Sequence, residues 1–225
     1  MDVTIDEARA LVADRALWPR VRDFLWDFAP QVHPSWVEDL PHVSGLMSSP
    51  RVRRYVLDSL GVEPCFHSFP KDDGSRILLL DGETLESVAK WLGALACVES
   101  LRRVTSGEVV RGLKASLPGI YPEVFGYTMY FRDFVSRGDA EAQRISEEGC
   151  KILFSVLSKL PGQLIRRMEL KLPKGLTPAR ASASRTAFGW GIRDLCLSAP
   201  LREINHAVIL KLLKLKFPEA YKLCC

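Results

Sequence analysis

The four histidines (His33, His42, His67, His206) and six cysteines (Cys65, Cys97, Cys150, Cys196, Cys224, Cys225) are where metal or nucleophilic chemistry in this 225-residue chain would have to begin. Their spacing supports neither. No Cys-x-x-Cys pair occurs, and no cysteine stands at ligand spacing from a histidine. The chain has no Gly-x-Ser-x-Gly elbow and no His-Glu-x-x-His pair, and Gly189-Trp190-Gly191 lacks the further residues a phosphate-binding loop needs. The adjacent carboxylates Glu38 and Asp39 would not face each other on a helix, and Asp72-Asp73-Gly74 reads as a turn rather than an acid/base pair. His206 follows Glu203 by three residues, a spacing typical of a surface contact, and Pro41 separates His42 from Glu38 and Asp39. His33 and His42 flank the Trp36 segment, where capping or hydrogen bonding is the expected role. The reading is a protein without catalytic residues, cofactor or metal.

Binding chemistry is better represented. Residues 1–50 hold eight acidic against four basic side chains, whereas residues 151–180 hold seven basic against one acidic. Such polarity favours oriented docking on charged partners and says little about fold. Arg166, Arg167, Lys171 and Lys174 form the denser basic group, and Arg102, Arg103, Arg111 and Lys114 the other. With Trp36, the first group supplies the candidate partner-binding residues, since interface hot spots favour Trp, Tyr and Arg. The interleaved Glu99, Glu108 and Glu169 and a sequence pI near 8.8 weaken a nucleic-acid reading.

The elements that would carry these residues are helical almost throughout. Thr4-Ile5-Asp6-Glu7 forms a capping box, and Val21, Phe24, Leu25 and Phe28 share one helix face. Residues 1–27 are thus predicted to be an N-terminal helical extension. Pro34–Leu40 reads as one helical segment, Ser49-Pro50 as a helix start and Gly61 as a left-handed stop. Residues 65–80 are compatible with one short β-hairpin, because Cys65–Phe69 alternates and Ile77–Leu80 is short and apolar. Asp81 reads as the N-cap of a helix whose stripe is Leu85, Val88, Ala89, Leu92, Leu95 and Ala96.

Further along, Thr105 and Ser106 start a helix through Leu117, and Asp139 opens one that ends near Leu160. Met168–Leu172 alternates and suggests extended chain. Residues 174–186 are predicted to be an internal loop, followed by helices near 187–197 and 201–215. The expected fold is all-α, one compact multi-helix domain over 1–225. Cys97, Cys150 and Cys196 fall in apolar helical patterns and are expected to be buried thiols, with Cys224 and Cys225 accessible at the end. An acidic, polar start and the lack of a long apolar run predict a cytoplasmic protein without direct membrane insertion.

Four stretches resemble one family in the right order. Phe28–Pro41 carries Ala-Pro, Val-His-Pro-Ser-Trp and Leu-Pro; Trp91–Val104 carries Leu-Gly and an Arg-Arg step. Gly149 opens a run ending in Arg166-Arg167-Met168-Glu169-Leu170-Lys171-Leu172-Pro173, and Leu212–Pro218 closes the chain. Together these are similar to the SctK (YscK-type) family of bacterial type III secretion accessory proteins. The resemblance implies a non-catalytic adaptor of the injectisome's sorting platform, at the cytosolic face of the inner membrane through its partners. Those partners would be the cytoplasmic domain of an SctD-type inner-membrane ring protein and an SctQ-type pod protein. The N-terminal extension and the insert near 174–185 depart from the family, so no interface is carried over by residue. A regulatory or chaperone-like helical protein and a basic-patch nucleic-acid-binding domain are the alternatives.

Overall fold

The computed structural model describes residues 17–40, 43, 46–63, 69, 75–128, 130–131, 142–176 and 206–224. Among them the secondary structure is α-helix and 3₁₀ turn with no strand, an all-α fold. The α-helices are α1 (Leu17–Trp26), α2 (Pro50–Ser59), α3 (Gly82–Ala96), α4 (Val98–Arg102), α5 (Gly107–Ser116), α6 (Val124–Tyr127), α7 (Ala142–Val156), α8 (Gly162–Lys171), α9 (His206–Lys216) and α10 (Pro218–Cys224). The sequence suggests one domain; the residues group into two compact units, neither continuous in sequence. Unit 1 comprises residues 1–86, 157–175 and 210–225, and unit 2 comprises 87–156 and 176–209.

Local signals explain most helix boundaries. The Asp81 carboxylate accepts the Thr84 backbone N–H at 2.7 Å and the Thr84 hydroxyl at 2.9 Å, capping α3 as expected. Gly61 takes φ +67° just after α2, a left-handed stop that residues with a Cβ rarely adopt. Pro50 stands in the first turn of α2, where its missing N–H costs nothing.

Unit 1 is built on α1, α2 and α8. Val21, Phe24, Leu25 and Phe28 are all buried, and Phe24 meets Phe28 and Phe69 edge-on at 5.7 and 6.1 Å. Unit 2 is built on most of α3 and on α7. The expected stripe of α3 is buried, and from Trp91 onward the helix is buried on every side. Its close partner is α7. A Cβ added to Gly93 would lie 2.8 Å from the Ile145 carbonyl carbon, and one added to Gly149 would lie 2.6 Å from that of Ala89. Two facing glycines therefore let the two backbones touch, an approach that any side chain would block.

Three expectations are corrected. Ile77–Leu80 is not a strand: Ser75–Leu79 is a 3₁₀ turn whose buried Ile77, Leu78 and Leu79 explain the apolar run. Met168–Leu172 is not extended either, because α8 runs through Lys171; its charged side chains face protein, so the alternation does not mark a half-exposed strand. Pro34–Leu40 is helical only as the 3₁₀ turn Pro34–Trp36 followed by turns. A further helix, α10, follows Pro218, which sits at its start rather than merely ending α9. The Thr4–Glu7 capping box, the rest of the hairpin at 65–68 and 70–74, the Asp139 helix start, most of the 174–186 loop and the helix near 187–197 lie outside the described residues.

Cys97 and Cys150 are buried, as their patterns suggest; Cys196 and Cys225 lie outside the described residues. Cys224 is corrected: it is fully buried, on a helix that packs against the Ser75–Leu79 turn. Cys97, Cys150 and Cys224 should react with a thiol reagent much more slowly in buffer than in denaturant. Mass spectrometry of the labelled peptides reads this position by position. Fast native labelling of Cys224 would mean that α10 is undocked in solution.

Candidate functional site

Three of the four basic candidates, Arg166, Arg167 and Lys171, stand on α8, and the fold uses them in an unexpected way. From Leu164 to Lys171 every residue of this helix is buried, Arg166, Arg167, Glu169 and Lys171 included. A buried cation requires partners. Each of these finds them in backbone carbonyls at the end of another element.

Arg166 donates from Nε and Nη2 to the Leu60 carbonyl at 3.3 and 3.1 Å, just beyond α2. Its Nη1 pairs with Glu169 at 2.6 Å, one turn along α8. Arg167 donates from Nε to Phe24 O at 3.0 Å and from Nη2 to Leu25 O at 3.2 Å and Glu63 O at 2.9 Å. Phe24 and Leu25 belong to the last turn of α1, whose carbonyls have no intrahelical donor. Lys171 donates to Leu78 O and Leu80 O, both at 2.8 Å, where the 3₁₀ turn ends. Aromatic faces complete the sheath. Arg166 lies 5.1 Å from the Trp36 ring centre, Arg167 5.7 Å from that of Phe28, and Lys171 4.8 Å from that of Phe24. The negative ends of three helical elements thus converge on one cationic helix, the arrangement that helix dipoles favour.

The end of α8 is held in return by the Val-His-Pro-Ser-Trp segment. The His33 N–H donates to Leu170 O at 2.7 Å, and Trp36 Nε1 donates to Leu172 O at 2.9 Å. His33 has the expected capping role: its Nδ1 accepts the Ser35 N–H at 3.2 Å at the start of the Pro34–Trp36 turn. Lys174 also joins this group, since its N–H donates to Ser35 Oγ and its ammonium pairs with Asp39. The Lys174 ammonium, first by its hydrogen bond to Asp39 and then by its charge, holds the exposed Asp39 carboxyl below its ordinary value.

The five candidates are therefore brought together, but not as one solvent-facing patch. Arg166, Arg167 and Lys171 are corrected from a docking face to interior fastenings, because carbonyl groups rather than water solvate them. Trp36 is half-buried, and the Lys174 side chain remains 52% exposed. Asp81 is the residue the sequence reading missed as a partner of Lys171. Desolvation pushes its carboxyl up, but the Thr84 hydrogen bonds and the Lys171 charge outweigh this and leave it lowered. No sequence spacing links Asp81 to Lys171.

Burial pushes Lys171 down to about 7; the Asp81 charge raises it and the Arg20 charge lowers it further. The unfolded chain, with lysine at 10.5, therefore binds more protons than the folded chain between about pH 7 and 10.5. Lys171 makes stability rise with pH across that window and withdraws it as pH falls through about 7. Urea unfolding of wild type and Lys171→Met should show a free-energy difference that shifts in favour of wild type as pH rises from neutral to alkaline. A pH-independent difference would rule out the depressed ammonium.

Among the described residues no group of three or more His, Cys, Asp or Glu side chains could hold a metal ion, and no helix is long and apolar enough to cross a membrane. Comparison with family models, with curated proteins and with solved structures found no match.

Proposed function

We propose that this chain is a non-catalytic adaptor of a bacterial type III secretion machine, similar to the SctK family. On this reading it links an SctD-type ring protein's cytoplasmic domain to an SctQ-type pod protein, and sits at the cytosolic face of the inner membrane through them. One observation carries the reading: the segments that resemble the family make specific contacts with one another. Val-His-Pro-Ser-Trp holds the end of Arg-Arg-Met-Glu-Leu-Lys-Leu through His33 and Trp36. Within unit 2, Gly93 of the Leu-Gly step abuts Gly149. Pairing of this kind is what residues that specify a common core would give. Their use as structural pins also fits a protein that works by shape, with its chemistry spent on rigidity.

The nucleic-acid alternative loses support. It needs contiguous exposed cations, and burial removes Arg166, Arg167 and Lys171 from the surface. Arg103, Arg111 and Lys114 remain exposed on unit 2.

The test is reconstitution with purified ring-type and pod-type proteins of the same bacterium. Both should co-elute with this chain in one complex, and deletion of its gene should abolish secretion until the chain is restored. Binding to neither protein would reject the adaptor reading. A steep salt dependence of binding to random duplex DNA would favour the alternative.

A further inference from the structure

Unit 1 contains a cleft of about 420 Å³ between the end of α1 and the length of α2 with the residues that follow it. Leu25, Leu57 and Val62 give it an apolar lining, and Trp26 and Arg54 are among its outer residues. Trp26 is 52% exposed, so about half of its indole is open to solvent. It is also held in position: Trp18 meets it edge-on at 5.7 Å. A preorganised aromatic beside an apolar hollow is the anatomy of an interface hot spot.

The lining is mixed in charge, with Asp27 and Glu63 beside Arg53, Arg54 and Arg167, so the unused donors of its arginines, not its net charge, indicate what kind of partner fits. Arg53 uses Nη1 on Asp27 at 2.9 and 2.7 Å and Nε on Met47 O at 2.7 Å. Arg54 uses only Nε, on Asp58 at 3.0 Å. No bond among the described residues uses Nη2 of Arg53 or either Nη of Arg54. Their guanidinium edges can therefore receive carboxylates in the paired geometry that arginine favours. Arg51 adds a further exposed cation on α2, and Val56 is the one residue of that helix that is fully buried. α2 therefore keeps Tyr55, 46% exposed, and its arginines available on the outside.

We propose that this cleft docks a segment of a partner protein that carries one large apolar anchor flanked by acidic residues. The anchor packs on Trp26 and into the Leu25–Leu57–Val62 hollow, and the flanking carboxylates bridge to Arg53 and Arg54. The inference is independent of the secretion reading, since it rests only on the geometry of unit 1.

The test is selection of a random peptide display library on the full chain alone, without counter-selection. Enriched peptides should combine an aromatic or leucine with Asp or Glu. Made synthetically, they should bind about tenfold or more weaker to Trp26→Ala. Arg54→Glu, a change at an exposed position, should weaken them most at low salt. Thermal melts of both variants control for folding. No enrichment, enrichment of peptides without acidic residues, or equal binding to Trp26→Ala would each overturn the proposal. So would a dimer in sedimentation that Trp26→Ala abolishes, because it would give the cleft to a second copy of the chain.

Discussion

Gly93→Ala and Gly149→Ala should each destabilise the protein by about 3 kcal/mol or more, the upper end of the range for overpacked interiors. Ordinary overpacking is relieved by side chains that change rotamer. Here the obstacle is backbone: the added Cβ of Gly93 meets the Ile145 carbonyl, and that of Gly149 meets the Ala89 carbonyl. Relief requires α3 and α7 to separate, which loosens Leu92, Leu95, Ile152 and Leu153, all fully buried. Alanine's better helix propensity returns only about 1 kcal/mol. Gly112 in α5 is the control, because an added Cβ there meets nothing within 4 Å. Gly112→Ala should therefore stabilise by roughly 0.5–1 kcal/mol through propensity alone. Urea midpoints of the three variants decide the matter. Equal effects at all three positions would show that the glycine crossing does not exist in solution.

The parts of the fold that could be read in the sequence are those where burial and polarity coincide. The α3 stripe from Leu85 to Ala96, the Asp81 cap and the Gly61 stop each follow from local chemistry and need no tertiary information. α8 could not be read in that way. Pattern reading assigns charged side chains to solvent, so Met168-Glu169-Leu170-Lys171-Leu172 looks like a half-exposed strand. In the fold, carbonyls more than ninety residues away in sequence solvate Lys171 and Arg167. The burial of Cys224 is not legible for a related reason, since the seven residues of α10 are too few to show a periodic face that docks on the Ser75–Leu79 turn. Trp36, Arg166 and Lys174 were legible as a group, although their grouping is a packing arrangement rather than an open face.

Arg167→Met should be the most damaging single substitution on α8, with a loss of about 3 kcal/mol or more, because it strips the donor from buried backbone carbonyls. Methionine fills much of the same volume, so little of the loss would come from a cavity. What disappears is the side chain that donates to Phe24 O, Leu25 O and Glu63 O, and a buried carbonyl left without a donor costs about 1–3 kcal/mol. Lys171→Met should cost less at neutral pH. It too strips donors from two carbonyls, but it also removes an ammonium that burial disfavours. Charge reversal of Arg166 and Arg167 to Glu, harmless on a docking face, should here leave the domain unfolded. It would set new carboxylates against Glu169 and against the carbonyl ends of α1 and α2. Thermal melts and near-ultraviolet circular dichroism of these variants test the ranking. If the double reversal melted like wild type, the two arginines would have to lie on the surface, and the interior fastening of unit 1 by α8 would be wrong.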